Sequence, residues 1–348
     1  MAAAIRYQCM FVRKLSLFLS AGWLCAQTST WRPLVLGLDG MVVSGHYATA
    51  HAGYKMLAQG GNAFDAAVAA ALASTVVEPS RAGIGGHSLV VLYDARSKRV
   101  RVIDGGGWAG RRATVEFFRS KDGIPLDGAT SPVVPGSVDA LLLLAQKYGH
   151  LSRDKLFEPS IQLSERGSVV SENMHNVFRR NQDRLLPYPS TVKQWFVQKE
   201  PVRMGQVVVQ KELGQTFRLI ASGGREAFYK GPIARRIAEF LEKSGGILEA
   251  ADLAGFAAEE TEPIHIRYKG YDLYTPPPTS SGHVMLQALK ILEKLDLKAM
   301  GHNSAAYLHH IAEALNLAFA DREALVADPR FVKNVPIREI LSEPYAAK

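Results

Sequence analysis

Apolar residues recur along this chain with two periods. A helix is predicted from Ala48 to Ala58, stopped by Gly60 and Gly61, which can take the positive φ that ends a helix. Asn62 is placed to cap a second helix through FDAAVAAALASTVV, which must end before Pro79. Alanine at 66, 67, 69, 70, 71 and 73 lets that backbone lie close to a neighbour, so the helix is expected to be buried against a sheet. Pro135–Lys147 and Arg153–Arg166 form a predicted helix pair. Pro232–Lys243 gathers Ile233, Ile237, Phe240 and Leu241 on one face before Gly245 and Gly246. Two more helices are expected, Val284–Leu295 and Asn303–Leu325, the latter with Ile311, Leu315 and Phe319 on one face.

Alternation with period two marks the strands. Met41–Ser44 and Tyr271–Tyr274 are short candidates, and Ser88–Tyr93 with Lys98–Ile103 form a hairpin around DARS. In the second arm Val100 and Val102 face one way and Arg99 and Arg101 the other, as in an antiparallel strand with one wet face. That arm runs into VRVIDGGGWAGRR, where Gly105, Gly107 and Gly110 have the spacing of a dinucleotide fingerprint. The context excludes that reading. A fingerprint follows a parallel strand buried on both faces and opens a helix, whereas RRATVEFFRSKDG has β-branched Thr114 and Val115 and no amphipathic stripe. No repeat, low-complexity tract or linker divides the chain.

The first 26 residues differ in composition. Arg6, Arg13 and Lys14 precede an apolar run, LSLFLSAGWLCA, and then polar residues, the order of a secretory signal cut after Ala26. The run is too short for a stable membrane span. The expectation is therefore an exported protein, periplasmic or extracellular, with a single region from 27 to 348. Both cysteines, Cys9 and Cys25, lie in the presequence, so the remainder has no thiol for a disulfide or a metal. Losing three cations and no acid takes the formal charge from +8 to +5. Eight basic residues between Arg96 and Lys121 are interrupted by apolar strand positions and accompany no nucleic-acid motif, so a solvated basic edge near an anion pocket is expected and a nucleic-acid partner is not.

Three motifs carry catalytic residue types without their partners. Ser152-Arg-Asp-Lys155 fits S-x-x-K, but Ser152 is a natural helix cap and the companion motifs are missing. His309, His310 and Glu313 share one helix without a further ligand, so no metal is expected. Ser280-Ser281 before Gly282 suits a turn and a helix cap. No nucleophile stands out.

Taken in order, GMVVSGHYATAHAGYKMLAQGGNAFDAAVAAALASTVVEPSRAGIGG, VIDGGGWAG, VVPGSVDALLLLAQKYG, LFEPSIQLSERG, GGREAFYKGPIARRIAEFLEKSGGILEAADLAGF, YDLYTPPPTSSGHVMLQAL and ADPRFV resemble the large subunit of the gamma-glutamyltransferase family, from about Arg32 onward. The resemblance implies an N-terminal-nucleophile hydrolase of αββα sandwich architecture, made as a precursor that cuts itself into two subunits. It also implies a partner, the small subunit, whose N-terminal threonine is the nucleophile and whose amine is the base. The γ-glutamyl group of glutathione or a related amide passes to that threonine and then to water or an amino acid. The resemblance implies no metal or organic cofactor.

Two departures matter. The family continues beyond the position of Lys348 to the catalytic threonine, so none of these residues takes that role and the chain alone is expected to be inactive. In γ-glutamyl-specific members the segment after the strand has the form D-x-R-E-x-A-P, with an arginine for the substrate's α-carboxylate. Here Gly106 stands at that place, and glycine offers no guanidinium fork. The resemblance therefore makes Gly105, Gly106, Gly107 and Trp108 a remodelled wall of the substrate pocket, with Arg111 and Arg112 as candidate replacements. Three functions follow: part of a γ-glutamyl transferase or hydrolase, a relative cleaving another amide such as a small acidic amide or acylated antibiotic, or a noncatalytic remnant that binds.

Overall fold

The computed structural model describes residues 34–121 and 123–348. Val42–Lys348 is one unit, and of the separate unit Met1–Met41 the described residues are exposed and lack regular secondary structure. The presequence Met1–Ala26 lies outside the described residues. No helix among them is long and apolar enough to cross a membrane.

Helix α1 (Tyr47–Ala58) begins where His46 Nδ1 accepts from the Ala48 amide, and it ends at Gly60 with φ 83°. Helix α2 (Ala63–Val77) opens with a full capping box: Asn62 Oδ1 accepts from Phe64 and Asp65, and Asp65 accepts in return from the Asn62 amide. Asp65 also accepts from the amides of His150 and Leu151, which ties a distant loop to the same carboxylate. Leu72 is 1% exposed and Ala69 and Ala73 are 0%. The expected sheet is not what covers α2. Its alanine surface lets α1, α3 (Ser137–Tyr148) and α4 (Arg153–Arg166) approach, and the layer around it is helical.

Each arm of the hairpin is one residue longer than anticipated, as β1 (Ser88–Asp94) and β2 (Arg99–Gly105), the latter starting one position later, with Tyr93 opposite Val100. A third antiparallel strand, β3 (Glu259–Thr261), pairs with β2 and completes the order β1-β2-β3. Helix α3 covers one face of this sheet, where Leu92 and Ile103 are buried, whereas the buried Val102 belongs to the opposite face, across from Val91. On the other face Leu89, Val91 and Tyr93 are exposed. Met41–Ser44 forms no strand, because no segment among the described residues pairs with it.

A run missed by periodicity, α5 (Lys211–Tyr229), is kinked at Gly224 and delivers Tyr229 to the core. The buried Tyr229 hydroxyl donates to the Pro135 carbonyl at 2.7 Å and accepts from the Asp139 amide, fixing the start of α3. Burial pushes that phenol well above its ordinary pKa. Helix α6 (Pro232–Lys243) and the short α7 (Ala250–Gly255) follow. A second hairpin, β4 (Ile264–Tyr268) and β5 (Tyr271–Thr275), packs on α8 (Gly282–Leu292). Helix α9 (Ala305–Leu325) meets α8 through buried Ala314 and Ala318. The anticipated stripe is thus rotated: Ile311 touches that cluster, but Leu315 and Phe319 face solvent.

Candidate functional site

Strand β2 ends in the glycine run, and the three glycines are there for different reasons. Gly105 crosses the start of α3, where a Cβ would lie 2.6 Å from both the Ala140 Cβ and the Gly136 carbonyl oxygen. Gly107 has φ 78°, and a Cβ there would collide with the Val134 carbonyl. Gly106 has neither constraint. Its φ is not in the left-handed region, and a Cβ would meet only side-chain ends, the Asp104 carboxylate at 2.9 Å and the Thr279 hydroxyl at 3.9 Å. Asp104 Oδ1 already accepts the Gly106 amide at 2.7 Å, so the loop is closed by its own strand end.

Trp108 follows, its carbonyl accepting from the Val134 amide at 2.8 Å. Its ring stands edge-on to Phe256 at 5.2 Å between centroids. On the indole lies the Arg330 guanidinium, 4.9 Å from the centroid. Asp328 fixes that guanidinium side-on: Arg330 Nε donates to Oδ1 at 3.0 Å and Nη2 to Oδ2 at 2.5 Å. The pair holds the Asp328 carboxyl below its usual range and the Arg330 guanidinium above its own. Together with Gly106, Glu259 and Thr279 these groups line a cleft of about 310 Å³. Asp104 and Glu259 add negative charge to the wall, and Lys333 adds positive. His87, close behind Gly107, is held below its ordinary pKa by burial, against the opposing pull of Asp104.

The anticipated residues separate into two groups. Gly106, Gly107 and Trp108 line the cleft, while Gly105 is buried beneath it against α3. Arg111 and Arg112 turn away. The Arg111 amide and Nε both reach Asp252 Oδ1, at 3.1 and 3.2 Å, and Arg112 lies 3.8 Å from Glu249, so both serve the capped start of α7. Sequence reasoning passed over Arg330 and Asp328, which sit in an irregular segment without periodicity; their only signal was the block ADPRFV.

The remaining motifs stay structural. Ser152 is at the N-cap of α4, without a side-chain capping bond. His310 Nδ1 contacts the Ala306 carbonyl one turn back, and no group of three metal-binding side chains forms among the described residues. Ser280 Oγ accepts the Gly282 amide, as a turn residue does. The cleft can therefore bind and orient a charged organic molecule between an arginine and carboxylates.

A sequence profile of the family described as Gamma-glutamyltranspeptidase matches residues 49–348. The glutathione hydrolase-like YwrD proenzyme of Bacillus subtilis (strain 168) is 36% identical over 313 residues, 90% of this chain and 59% of the relative. The acylase ACY 1 proenzyme of Pseudomonas sp. (strain SE83) is 36% identical over 324 residues, 89% of this chain and 57% of the relative. The chain thus spans somewhat more than half the length of these curated relatives. In three dimensions it is similar to Helicobacter pylori gamma-glutamyltranspeptidase, with TM-score 0.85 and 32% identity over 90% of this chain and 91% of that one.

Proposed function

Because the chain belongs to the gamma-glutamyltranspeptidase family, we propose that it is the large-subunit half of an enzyme that moves a γ-glutamyl group from an amide to water or an amino acid. Its fold is that of the N-terminal-nucleophile hydrolases in this family. The observation that carries the reading is the cleft under β2, which offers an arginine and carboxylates to one small ligand, as an amino-acid head group requires.

The nucleophile in this reading comes from a second segment bearing an N-terminal threonine. Its hydroxyl attacks the amide carbonyl while its own amine takes the proton. The amine product leaves with a proton, and the resulting ester is opened by water or an acceptor amine. Two apolar surfaces support such a partner: the face of β1 with Leu89, Val91 and Tyr93, and the outer side of α9. The length comparison is consistent with this, since the relatives are proenzymes with substantial sequence outside the matched part. The chemistry needs no metal or organic cofactor. Met1–Ala26 serves as an export signal in the same proposal, and N-terminal sequencing of the mature protein tests it: a chain starting near Gln27 is expected, and an intact Met1 overturns it.

A second reading, an acylase for a different acyl group, is favoured by Gly106, which brings no side chain to the cleft, and by the equal likeness to acylase ACY 1. Expression of the natural gene with its downstream sequence separates these readings. Self-cleavage into two bands, with threonine at the new N-terminus, and hydrolysis of γ-glutamyl-p-nitroanilide are expected. Cleavage without γ-glutamyl hydrolysis favours the acylase, and a single uncleaved, inactive product leaves a noncatalytic binding protein.

A further inference from the structure

Arg330 is held in the cleft by two neighbours. The Trp108 ring supports its flat face, and Asp328 occupies the edge formed by Nε and Nη2. A guanidinium has five N–H donors. Asp328 therefore leaves the edge made by Nη1 and the second Nη2 hydrogen, and the side chain retains 40% of its exposure. Free rotation has been removed from this side chain without filling its binding capacity, and an ordered fork is what a carboxylate needs. The surroundings restrict the ligand further. Asp328 is spent on Arg330, but Asp104 and Glu259 remain on the wall, and both lie close enough to act on Arg330 electrostatically. A bare dianion meets repulsion there. A zwitterion meets a cation for its carboxylate and anions for its ammonium.

We propose that Arg330 binds the carboxylate of an α-amino-acid head group on its open edge, with Asp328 as the positioning residue. The proposal rests on the reading of this cleft as the acyl pocket, and its test is chosen to fail separately from that reading. The probes are L-glutamate and 4-aminobutyrate, the same molecule without the α-carboxylate, titrated calorimetrically into the protein produced from its natural gene. Unmodified protein is expected to prefer L-glutamate by at least about 10-fold. Arg330→Gln should weaken L-glutamate roughly 10- to 150-fold and leave 4-aminobutyrate unchanged, with Arg330→Lys between them. Equal affinity of the unmodified protein for the two probes overturns the proposal without any variant, so a poorly folded mutant cannot shelter it. So does an equal loss of both probes in Arg330→Gln, or no loss of either. If L-glutamate binds through Arg330 while γ-glutamyl-p-nitroanilide is left intact, this assignment stands and the γ-glutamyl reading falls. Hydrolysis that is indifferent to Arg330→Gln gives the reverse.

Discussion

Helices α2 and α9 both carry apolar residues on several sides, and they have opposite fates in space. Neither confines its apolar residues to one stripe: α2 is apolar nearly all round, as a buried helix is, while α9 spreads its large apolar side chains among His309, His310, Glu313, Asn316 and Asp321. Around α2 the pattern is honoured: Val68 and Leu72 are 1% exposed and Val76 is 0%. Along α9 only Ala314 and Ala318 are buried, while Leu308, Leu317 and Phe319 are 51, 56 and 47% exposed. Sequence specifies how much apolar surface a helix presents, and its neighbours decide how much is covered. Small residues on α2 admit three helices. On α9 they admit α8 on one side, and the large side chains on the other sides stay exposed. Leu89, Val91 and Tyr93 on β1 repeat the situation on the sheet.

The strongest test of this contrast is Asp65→Ala. It deletes the carboxylate that accepts from Asn62, His150 and Leu151 at the fully buried end of α2, and it should cost about 3 kcal/mol or more in urea denaturation. A loss under about 1 kcal/mol would mean that α2 is not the anchor of the helical layer. On a smaller scale, Gly107→Ala should cost about 2 kcal/mol through its φ of 78° and the Val134 carbonyl, whereas Gly106→Ala should cost under about 1 kcal/mol. Comparable losses at the two positions would show that the loop does not distinguish them. On α9, Leu317→Glu should change the stability of the chain by no more than about 0.5 kcal/mol yet abolish co-purification with the complementary segment. A large loss of stability in the chain itself would show that this face is already covered.

Mild acid gives the smallest effect. His46, His87 and His283 are all held below the ordinary histidine value of 6.5 by burial. The unfolded chain therefore takes up protons first, and stability falls as pH drops below about 6.5 until the folded-state values are reached. His283, 1% exposed in the first turn of α8, should account for part of that slope. His283→Asn should flatten the dependence of the melting midpoint between pH 7.5 and 5.5 to a measurable degree, and an unchanged slope would remove His283 from this role.

Much of α2 was legible because capping and alanine content are local properties. The β1–β2 hairpin was legible because alternation and turn residues sit within a few positions of each other. What covers α2 was not, since close approach to helices rather than to a sheet depends on surfaces far along the chain. Helix α5 escaped notice because Gly214, Gly223 and Gly224 interrupt its pattern, and β3, three residues of Glu259–Thr261, is held by pairing with β2 rather than by its own composition. In the cleft, Gly106, Gly107 and Trp108 stood out as a glycine run meeting an aromatic. Arg111 and Arg112 were adjacent in sequence but are directed to Asp252 and Glu249, and Arg330 reaches Trp108 from more than two hundred positions away.

Among the described residues, strand β1 pairs with β2 along one side only. Its other side, Ser88–Asp94, presents backbone donors and acceptors to whatever extended segment arrives first. A segment tethered to the same polypeptide arrives at a rate that does not depend on how many molecules are present, whereas a stray copy arrives in proportion to concentration. Recovery of correctly assembled protein after dilution from denaturant should therefore be a race between those two orders of reaction. It should be won in dilute solution, lost in concentrated solution, and made insensitive to concentration when the completing segment remains joined to this chain.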